Sequence, residues 1–327
     1  MKNSLVIFIL FIGLISFSCN SELQKKENIL DSTIAQGELR IFYAGSMIFP
    51  MKNIISDFEK EYPHVNVIAE ASGSRAAARK IIDRRRSCDV FISSDFQVIE
   101  NLMFPYYANW YIQFVTNEMV IAYTDNSKLS SVINQENWYK ILLDDSVHFG
   151  RANPDEDPCG YRTVICIKLS DKYYGEFGIK DNLLFKDKQF IQSSDFELVD
   201  ILKKQKVDYV FIYKSVAKQE QLKFLTLPDQ INLKLEKYSP YYSTESTNVS
   251  GKLPGMYIQR KGDPIRFALT IVKNAPNPIA ADAFLHFFID QSKGLEELRN
   301  SHMNVLDSLM VFPSDSTTIE LRNQLNL

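Results

Sequence analysis

Two glycine–serine pairs and one acidic segment are the residues of this sequence best suited to bind a ligand. Gly45–Ser46 and Gly73–Ser74 each follow a strand-like stretch and precede a helical pattern. Unpaired backbone N–H groups at such helix starts attract anions. The acidic segment 153–162 reads Asn-Pro-Asp-Glu-Asp-Pro-Cys-Gly-Tyr-Arg, and its carboxylates repel anions. Both features can contact one ligand if a positive atom lies between them, and the central atom of an oxyanion is such an atom. We therefore predict a protein that binds a metal oxyanion.

Other interpretations of these residues remain open at the level of sequence. Both serines are simple N-caps in the first alternative, because serine commonly caps a helix start. In the second, Asp155, Glu156 and Asp157 form a solvated loop or a calcium site, although Pro158 interrupts the run of oxygen ligands. Pro158 also restricts the turn, and Gly160 permits a close backbone approach.

The sequence lacks the common catalytic motifs. It contains no G-x-S-x-G elbow, no H-E-x-x-H and no G-x-x-x-x-G-K-[ST] loop, and it has four histidines. The segment 250–252 (Ser-Gly-Lys) is not preceded by the glycine that a phosphate-binding loop requires. We therefore predict a binding protein that is not an enzyme and has no cofactor.

The N-terminus predicts a signal peptide over residues 1–19. Lys2 precedes the apolar run 5–15, which is shorter than the roughly 20 residues that span a bilayer. The small residues before Cys19 resemble a bacterial lipoprotein signal, in which this cysteine is lipidated. A cleaved signal without lipid is the alternative. Polar residues 20–37 predict a flexible stalk, so we expect an extracytoplasmic domain attached to the membrane only through lipid.

Charge and cysteine content exclude several classes of partner and site. A formal net charge of −3 does not suggest binding to nucleic acid. The one basic cluster is expected to be the solvated face of a helix and comprises Arg75, Arg79, Lys80 and residues 84–86. Besides Cys19 the chain has Cys88, Cys159 and Cys166, without the C-x-x-C spacing of a zinc site. Buried free thiols are favoured over a Cys159–Cys166 disulfide.

Strands alternate with helices through the first part of the chain. The predicted order is strand 38–43, helix 47–58, strand 65–71, helix 75–86, strand 89–92 and helix 97–103. This alternation indicates a parallel, doubly wound α/β sheet, in which ligands bind at the carboxyl ends of strands. Ser46 and Ser74 lie at two such ends.

A second α/β unit is predicted from about 118 to 265. Its elements are strand 114–123, helix 135–142, strand 148–150, helix 162–174, helix 196–204 and strand 207–213, with 232–249 irregular. Strand 265–272 and helix 279–289 follow, and the helical spacing of Phe284, Phe287 and Phe288 predicts that these rings lie in the core.

Six segments together resemble the tungstate/molybdate-binding proteins of ABC importers. They are 42–46 (F-Y-A-G-S), 71–74 (A-S-G-S), 107–111 (Y-A-N-W-Y), 117–120 (N-E-M-V), 153–162 and 208–217 (D-Y-V-F-I-Y-K-S-V-A). The resemblance implies a type II periplasmic-binding-protein fold with two doubly wound lobes around a ligand cleft. Lobe 1 would comprise 38–117 and 266–327, and lobe 2 would comprise 118–265.

The same resemblance implies the residues that hold the oxyanion. The matching positions are Gly45, Ser46, Ser74, Asp157, Pro158, Cys159, Asp195 and Tyr213. Asp157 and Asp195 would complete the shell of the tungsten or molybdenum atom, a hard centre that prefers oxygen. The family pattern has glutamate where this chain has Asp195, and the shorter side chain leaves the preference between tungstate and molybdate open.

The partners implied are a membrane permease and its cytoplasmic ATPase, served by a monomeric receptor. A receptor for sulfate or phosphate is the alternative, and it would use the helix starts without placing Asp157 against the anion. The rival from another class is an extracytoplasmic enzyme or a calcium-dependent protein that uses Asp155, Glu156 and Asp157.

Cys19→Ala tests the lipid anchor. We expect the wild type in the membrane fraction and the variant in the soluble extracytoplasmic fraction, because acyl chains supply the predicted membrane affinity. Cell fractionation with immunoblotting measures this, with Cys88→Ala as the matched cysteine control. A Cys19→Ala protein that stays membrane-bound would contradict the prediction.

Overall fold

The computed structural model describes residues 34–314 and 318–325, so the predicted signal peptide 1–19, Cys19 and most of the stalk lie outside the described residues. The strands are β1 (Gly37–Ala44), β2 (Val65–Ser72), β3 (Val90–Ser93), β4 (Tyr111–Thr116), β5 (Met119–Tyr123), β6 (Phe149–Ala152), β7 (Ile191–Gln192), β8 (Tyr209–Tyr213), β9 (Lys223–Thr226), β10 (Ser246–Ser250), β11 (Tyr257–Lys261), β12 (Arg266–Ile271) and β13 (Asn304–Phe312).

The α-helices are α1 (Ile48–Glu61), α2 (Ser74–Ile82), α3 (Phe96–Val98), α4 (Trp138–Leu143), α5 (Pro158–Tyr174), α6 (Ile179–Phe185), α7 (Asp195–Lys203), α8 (Lys214–Gln219), α9 (Ser239–Tyr242), α10 (Pro278–Ile289), α11 (Gly294–Asn300) and α12 (Ile319–Gln324). A π-helical turn (Ile99–Met103) continues α3, and 3-10 turns lie at Gly45–Met47, Lys188–Phe190 and Glu236–Tyr238. Among the described residues, no helix is both long and apolar enough to cross a membrane.

The strands form two mixed sheets and one short ribbon. The six-stranded sheet has the order β13-β4-β12-β3-β1-β2, and the five-stranded sheet has the order β7-β6-β8-β5-β9. Parallel pairing joins β1 to β2 and β3, and β6 to β7 and β8, whereas β12 and β5 pair antiparallel with their neighbours. The predicted parallel pairing therefore holds for β1, β2 and β3 and for β6, β7 and β8, whereas β5, β12 and β13 make the two sheets mixed. We keep the predicted division at 117/118 and 265/266 as the boundary between lobe 1 and lobe 2.

The predicted strand 114–123 is two strands in different sheets. β4 ends at Thr116 in lobe 1, and β5 begins at Met119 in lobe 2. The break falls at Asn117 and Glu118, where the Asn117 side chain donates to Ser215 Oγ (2.8 Å) and accepts from the Glu118 N–H (3.0 Å). Apolar residues flank both sides, so hydrophobic pattern alone does not detect the crossing.

Two other expectations differ from the structure. The segment 232–249, predicted to be irregular, contains α9 and nearly all of β10, which pairs antiparallel with β11. The segment is rich in serine and tyrosine, and its apolar residues do not recur with the spacing of a strand or a helix, so the sequence pattern did not reveal these elements. Helix α5 begins at Pro158 rather than at Arg162, because the Asp157 side chain caps it and proline suits the first helical turn.

The predicted phenylalanine core is confirmed. Phe284 and Phe288 are fully buried and Phe287 is 5 % exposed. The Phe58 ring packs edge-on against Phe284 and Phe287, with centroids 5.2 and 5.5 Å apart, and Phe114 packs against Phe288 at 5.1 Å. These rings pack α1 and α10 against the sheet of lobe 1. The serine turns lie at the ends of strands of this sheet.

The expected solvated basic face is wrong for Arg75, and Arg79 and Lys80 are only partly exposed. Arg84 and Arg85 are exposed, as expected, but Arg75 is 1 % exposed. The guanidinium of Arg75 donates to the backbone carbonyl oxygens of Asp155 and Ser250 in lobe 2. A charged residue near a helix start can therefore point across the cleft rather than into water.

Gly160 allows α5 to approach the acidic loop closely, as predicted. A Cβ at Gly160 would lie 2.5 Å from the Ala152 carbonyl oxygen and 2.7 Å from that of Asn153. Both neighbours are backbone atoms and cannot rotate away. Glycine at this position thus fixes the distance between the loop and the helix start.

Gly160→Ala is expected to lower the free energy of unfolding by about 1–3 kcal/mol, because the added methyl group forces the backbone apart. Urea denaturation followed by circular dichroism measures the change. Lys172→Ala, at an exposed position of the same helix, should stay within about 0.5 kcal/mol of the wild type. Equal stability of Gly160→Ala and wild type would contradict the close approach.

Candidate ligand-binding site

Three strands of lobe 1 end in serine turns on one side of the sheet. β1 leads into Gly45 and Ser46, β2 leads into Gly73 and Ser74, and β3 leads into Ser94. The serines are at most 2 % exposed. Sequence reasoning named the first two turns and missed the third, although Ser94 follows its strand in the same way.

Neither predicted serine caps a helix with its side chain. Helix α1 starts after Met47 and α2 after Gly73, and neither start has a side-chain cap. Ser74 Oγ instead accepts a hydrogen bond from the Ser94 N–H (3.0 Å) and lies 3.2 Å from Ser94 Oγ. Ser46 Oγ is buried and has no hydrogen-bond partner. The N-cap interpretation is therefore wrong for both, and a buried hydroxyl remains available to a ligand.

Two carboxylates from lobe 2 face these turns. Asp157 caps α5, with Oδ1 accepting from the Cys159 N–H at 2.7 Å, and Oδ2 lies 3.4 Å from the Asp195 nitrogen. Asp195 begins α7, and its Oδ1 is buried without a partner. A Cβ at Gly45 would lie 2.6 Å from this oxygen. Asp195 thus reaches the first turn of lobe 1, and Gly45 makes room for it.

Burial makes both carboxylates weak acids. It raises the pKa of Asp157 to about 6, against the opposing hydrogen bonds from the backbone amides of Cys159 and Asp195. Burial and then the charge of Asp157 raise the pKa of Asp195 well above its ordinary value. No Lys, Arg or His side chain forms an ion pair with either group in the described part of the chain. A positive atom bound between them would stabilise both ionised forms.

Tyr213 lies at the end of β8 and is linked to the site by Arg162, which sequence reasoning did not assign to it. Arg162 is 1 % exposed. Its Nη1 donates to Tyr213 Oη (2.7 Å) and to the Ser94 carbonyl oxygen (2.6 Å). Because Tyr213 accepts this bond, its own hydroxyl hydrogen can point to a ligand. Burial also raises the pKa of Tyr213, so the phenol is neutral.

Asp95 joins the two lobes beside the site and was also missed. Its Oδ1 accepts from the Gln97 N–H (3.0 Å), which caps α3. Its Oδ2 accepts from the Tyr161 hydroxyl and from Arg260 Nη2 (2.9 Å), both in lobe 2. Although burial opposes ionisation, Arg260 and Arg162 lower the pKa of Asp95. Asp95 is therefore a charged contact between the lobes.

The acidic loop does not form a calcium site. Asp155 Oδ1 accepts from the Ser250 N–H (2.6 Å), whereas Glu156 Oε1 accepts from the Asn153 amide (2.9 Å). Asp157 serves the start of α5. Across residues 34–314 and 318–325, no three His, Cys, Asp or Glu side chains converge as metal ligands. The three neighbouring carboxylates thus point to three different partners.

Cys88, Cys159 and Cys166 are buried free thiols, as favoured from the sequence. Cys159 Sγ donates to the Phe211 carbonyl oxygen (3.4 Å) and Cys166 Sγ to that of Ile231 (3.0 Å). Burial raises the pKa of Cys159 well above its ordinary value, so this thiol is protonated and unreactive. The backbone of Pro158 and Cys159 opens α5 directly after Asp157.

Serine turns of one lobe therefore meet buried carboxylates of the other, and this arrangement defines a two-lobed ligand-binding protein. The chain belongs to the bacterial extracellular solute-binding protein family, whose model matches residues 39–299. This match covers most of the chain.

Sequence relatives confirm the resemblance noted above. The "Molybdate/tungstate-binding protein WtpA" of Pyrococcus abyssi is 36 % identical over 303 residues, covering 84 % of this chain and 86 % of the relative. The protein with the same name from Thermococcus kodakarensis is 32 % identical over 331 residues, covering 93 % and 91 %. A solute-binding protein of Petrotoga mobilis is 46 % identical over 257 residues, covering 77 % and 79 %.

Solved structures confirm the predicted fold. The periplasmic molybdate-binding protein of Azotobacter vinelandii superposes with a TM-score of 0.60 at 17 % identity, covering 83 % of this chain and 100 % of that one. The sulfate-binding protein SubI of Mycobacterium tuberculosis superposes with a TM-score of 0.57 at 12 % identity, covering 89 % and 92 %. At such identities the likeness concerns the fold alone.

Asp157→Asn is expected to stabilise the ligand-free protein above pH 6. Because folding raises the pKa of Asp157 from 3.8 to about 6, its contribution to stability is fully present below pH 3.8 and is lost as pH rises through about 6. Asparagine keeps the capping oxygen without the charge. The variant should gain on the order of 2 kcal/mol at pH 8 and nothing near pH 4.

Urea denaturation across this pH range measures the difference. Asp200→Asn, which removes an exposed carboxylate from α7, serves as the control and should show no such pH dependence. An Asp157→Asn protein that is less stable than wild type at pH 8 would contradict the burial argument.

Proposed function

We propose that this protein is an extracytoplasmic receptor that captures tungstate or molybdate for import by an ABC transporter. The observation that carries the proposal is the pair of buried carboxylates, Asp157 and Asp195, placed against the serine turns without a cationic side chain between them. An oxyanion that contributes its own positive centre satisfies both features.

The oxygen atoms and the metal atom of the ligand would have separate partners. Hydroxyl groups of Ser46, Ser74 and Tyr213, with backbone amides at the turns, would donate to the oxygens. The carboxylates of Asp157 and Asp195 would approach the metal. The unpartnered Ser46 Oγ and Asp195 Oδ1 support this arrangement, because buried polar atoms without partners are costly unless a ligand satisfies them.

Tungsten and molybdenum are favoured over sulfur by the chemistry of the central atom. Either metal accepts oxygen donors beyond its four oxo groups, whereas the sulfur of sulfate does not. A sulfate receptor would therefore place two carboxyl groups beside an anion whose central atom cannot bind them. The names of the Pyrococcus and Thermococcus relatives agree with the metal oxyanion.

The proposal also covers the oligomeric state, the membrane anchor and the transport partners of the receptor. The receptor would be a monomer without enzymatic activity, anchored through a lipidated Cys19, and would deliver its ligand to a permease driven by a cytoplasmic ATPase. Ligand contacts shared by both lobes would stabilise the closed form. The hydrogen bond from the Ala76 N–H of lobe 1 to the Glu156 carbonyl oxygen of lobe 2 (3.0 Å) supports such closure.

Calorimetric titration of a fragment from residue 34 with tungstate, molybdate and sulfate tests the ligand. We expect tungstate or molybdate to bind at least 100-fold more tightly than sulfate. Asp157→Asn and Asp195→Asn should each weaken tungstate binding by at least 100-fold, since each removes a charged donor to the metal.

Glu197→Gln is the matched control, because this carboxylate lies in the first turn of α7 but binds Ser193 instead of facing the cleft. It should bind tungstate as the wild type does. Equal affinity for sulfate, or full tungstate affinity in both aspartate variants, would contradict recognition through the metal atom.

A further inference from the structure

The β10–β11 hairpin, residues 246–261, is called the ribbon here, and its base is attached to lobe 2. Lys168 on α5 donates to the Ser246 carbonyl oxygen. Also at the base, the Gly262 N–H donates to the Glu245 carbonyl oxygen (2.9 Å). A Cβ at Gly262 would lie 2.4 Å from the Tyr242 carbonyl oxygen, so the chain packs tightly there. The base of the ribbon therefore moves with lobe 2.

The tip of the ribbon rests on lobe 1 instead. Arg79 on α2 donates to the carbonyl oxygens of Gly251 and, at 3.3 Å, of Lys252. The Lys252 ammonium group donates to the Phe104 carbonyl oxygen, which also belongs to lobe 1. The ribbon thus spans the cleft, with one end on each lobe.

Arg75, one turn before Arg79 on α2, makes the most buried of these contacts. Its Nη2 donates to the carbonyl oxygen and the hydroxyl (3.1 Å) of Ser250, and its Nε donates to the Asp155 carbonyl oxygen (3.1 Å). The Asp155 carboxylate in turn accepts from the Ser250 N–H (2.6 Å). All hydrogen bonds shown for the Arg75 side chain therefore reach lobe 2.

These contacts are continuous with the candidate site. Arg75 follows Ser74, and Asp155 lies two residues before Asp157. A Cβ at Gly73 would lie 2.5 Å from the Glu156 carbonyl oxygen, so the second serine turn and the acidic loop touch directly. Any opening of the lobes that frees a ligand must also separate Arg75 from its partners.

We propose that the ribbon is a strap, fastened to lobe 1 by Arg75 and Arg79 when the cleft is closed, and that this strap sets the rate at which a bound ligand leaves. The inference rests on the proposed function, because it assumes a ligand held between the lobes. It assigns two positioning residues that touch no ligand themselves.

The strap acts mainly on release for a physical reason. A guanidinium group loses hydration when it is buried, and this cost offsets much of its hydrogen-bond energy. The strap therefore contributes little to closing an empty cleft. Its bonds hold the ribbon against α2 whenever the lobes are closed, as in the structure described, and contacts completed after encounter change the dissociation rate more than the association rate.

Stopped-flow measurement of tungstate dissociation from the full soluble domain tests the strap. Arg79→Met and Arg75→Met should each raise the dissociation rate constant by about tenfold, as expected for lost hydrogen bonds from a charged donor. The association rate constant should change by less than about threefold. Arg79 is a turn away from Ser74, so its variant leaves the serine turn intact.

Arg84→Met is the matched control, because it removes an arginine that is exposed just beyond α2. It should release tungstate at the wild-type rate. Unchanged dissociation in both Arg75→Met and Arg79→Met, or an equal increase in Arg84→Met, would overturn the strap while leaving oxyanion binding established.

Hydrogen exchange at the ribbon provides a second readout that needs no ligand. In the ligand-free protein, the Ser250 and Gly251 amides should exchange faster in Arg75→Met than in wild type, because their segment is no longer held against α2. Equal exchange in the two proteins would overturn the strap. A wild type that binds no oxyanion would instead contradict the proposed function, and exchange alone would then decide the strap.

Discussion

Two carboxylates buried side by side, neither of them in an ion pair within the described part of the chain, are the constraint on which the rest of this structure depends. Ionised groups in a dry site are costly, so the surrounding fold must supply other stabilisation. The amide groups at the start of α5 support Asp157, and Gly45 makes room for Asp195. Helix starts of both lobes point into the same cleft. The proposed anion with a positive centre would stabilise the ionised forms of both carboxylates.

The charged residues beside the site join the lobes without touching the carboxylates. Arg162 donates hydrogen bonds to the Tyr213 hydroxyl and the Ser94 carbonyl oxygen, and Asp95 forms an ion pair with Arg260. Each of these bonds connects one lobe to the other or fixes a residue at their boundary. The buried arginines therefore contact residues at the lobe boundary and form no ion pair with Asp157 or Asp195. This separation explains how a chain rich in buried arginine can still offer a cation-poor site.

The order of strands and helices up to residue 103, the phenylalanine core and the first two serine turns were predictable, because regular alternation and helical spacing are local properties. Asp195 was assigned through family resemblance, since no spacing rule marks one aspartate among many. The contacts of Asp95 and Arg75 between the lobes were missed for another reason. The sequence around a charged residue does not reveal whether its side chain faces water or a residue of the other lobe. The family resemblance placed the lobe boundary at 117/118, but the hydrophobic pattern merged β4 and β5 into one strand because apolar residues flank Asn117 and Glu118 on both sides.

The three buried thiols have a practical consequence for how the domain is made. Cys88, Cys159 and Cys166 are unpaired and lie within the packed interior. Folding of the described residues therefore involves no oxidation step, and the domain can be produced in a reducing compartment without an isomerase. The same thiols become accessible when the chain unfolds, so a thiol-reactive dye reports loss of the native state directly.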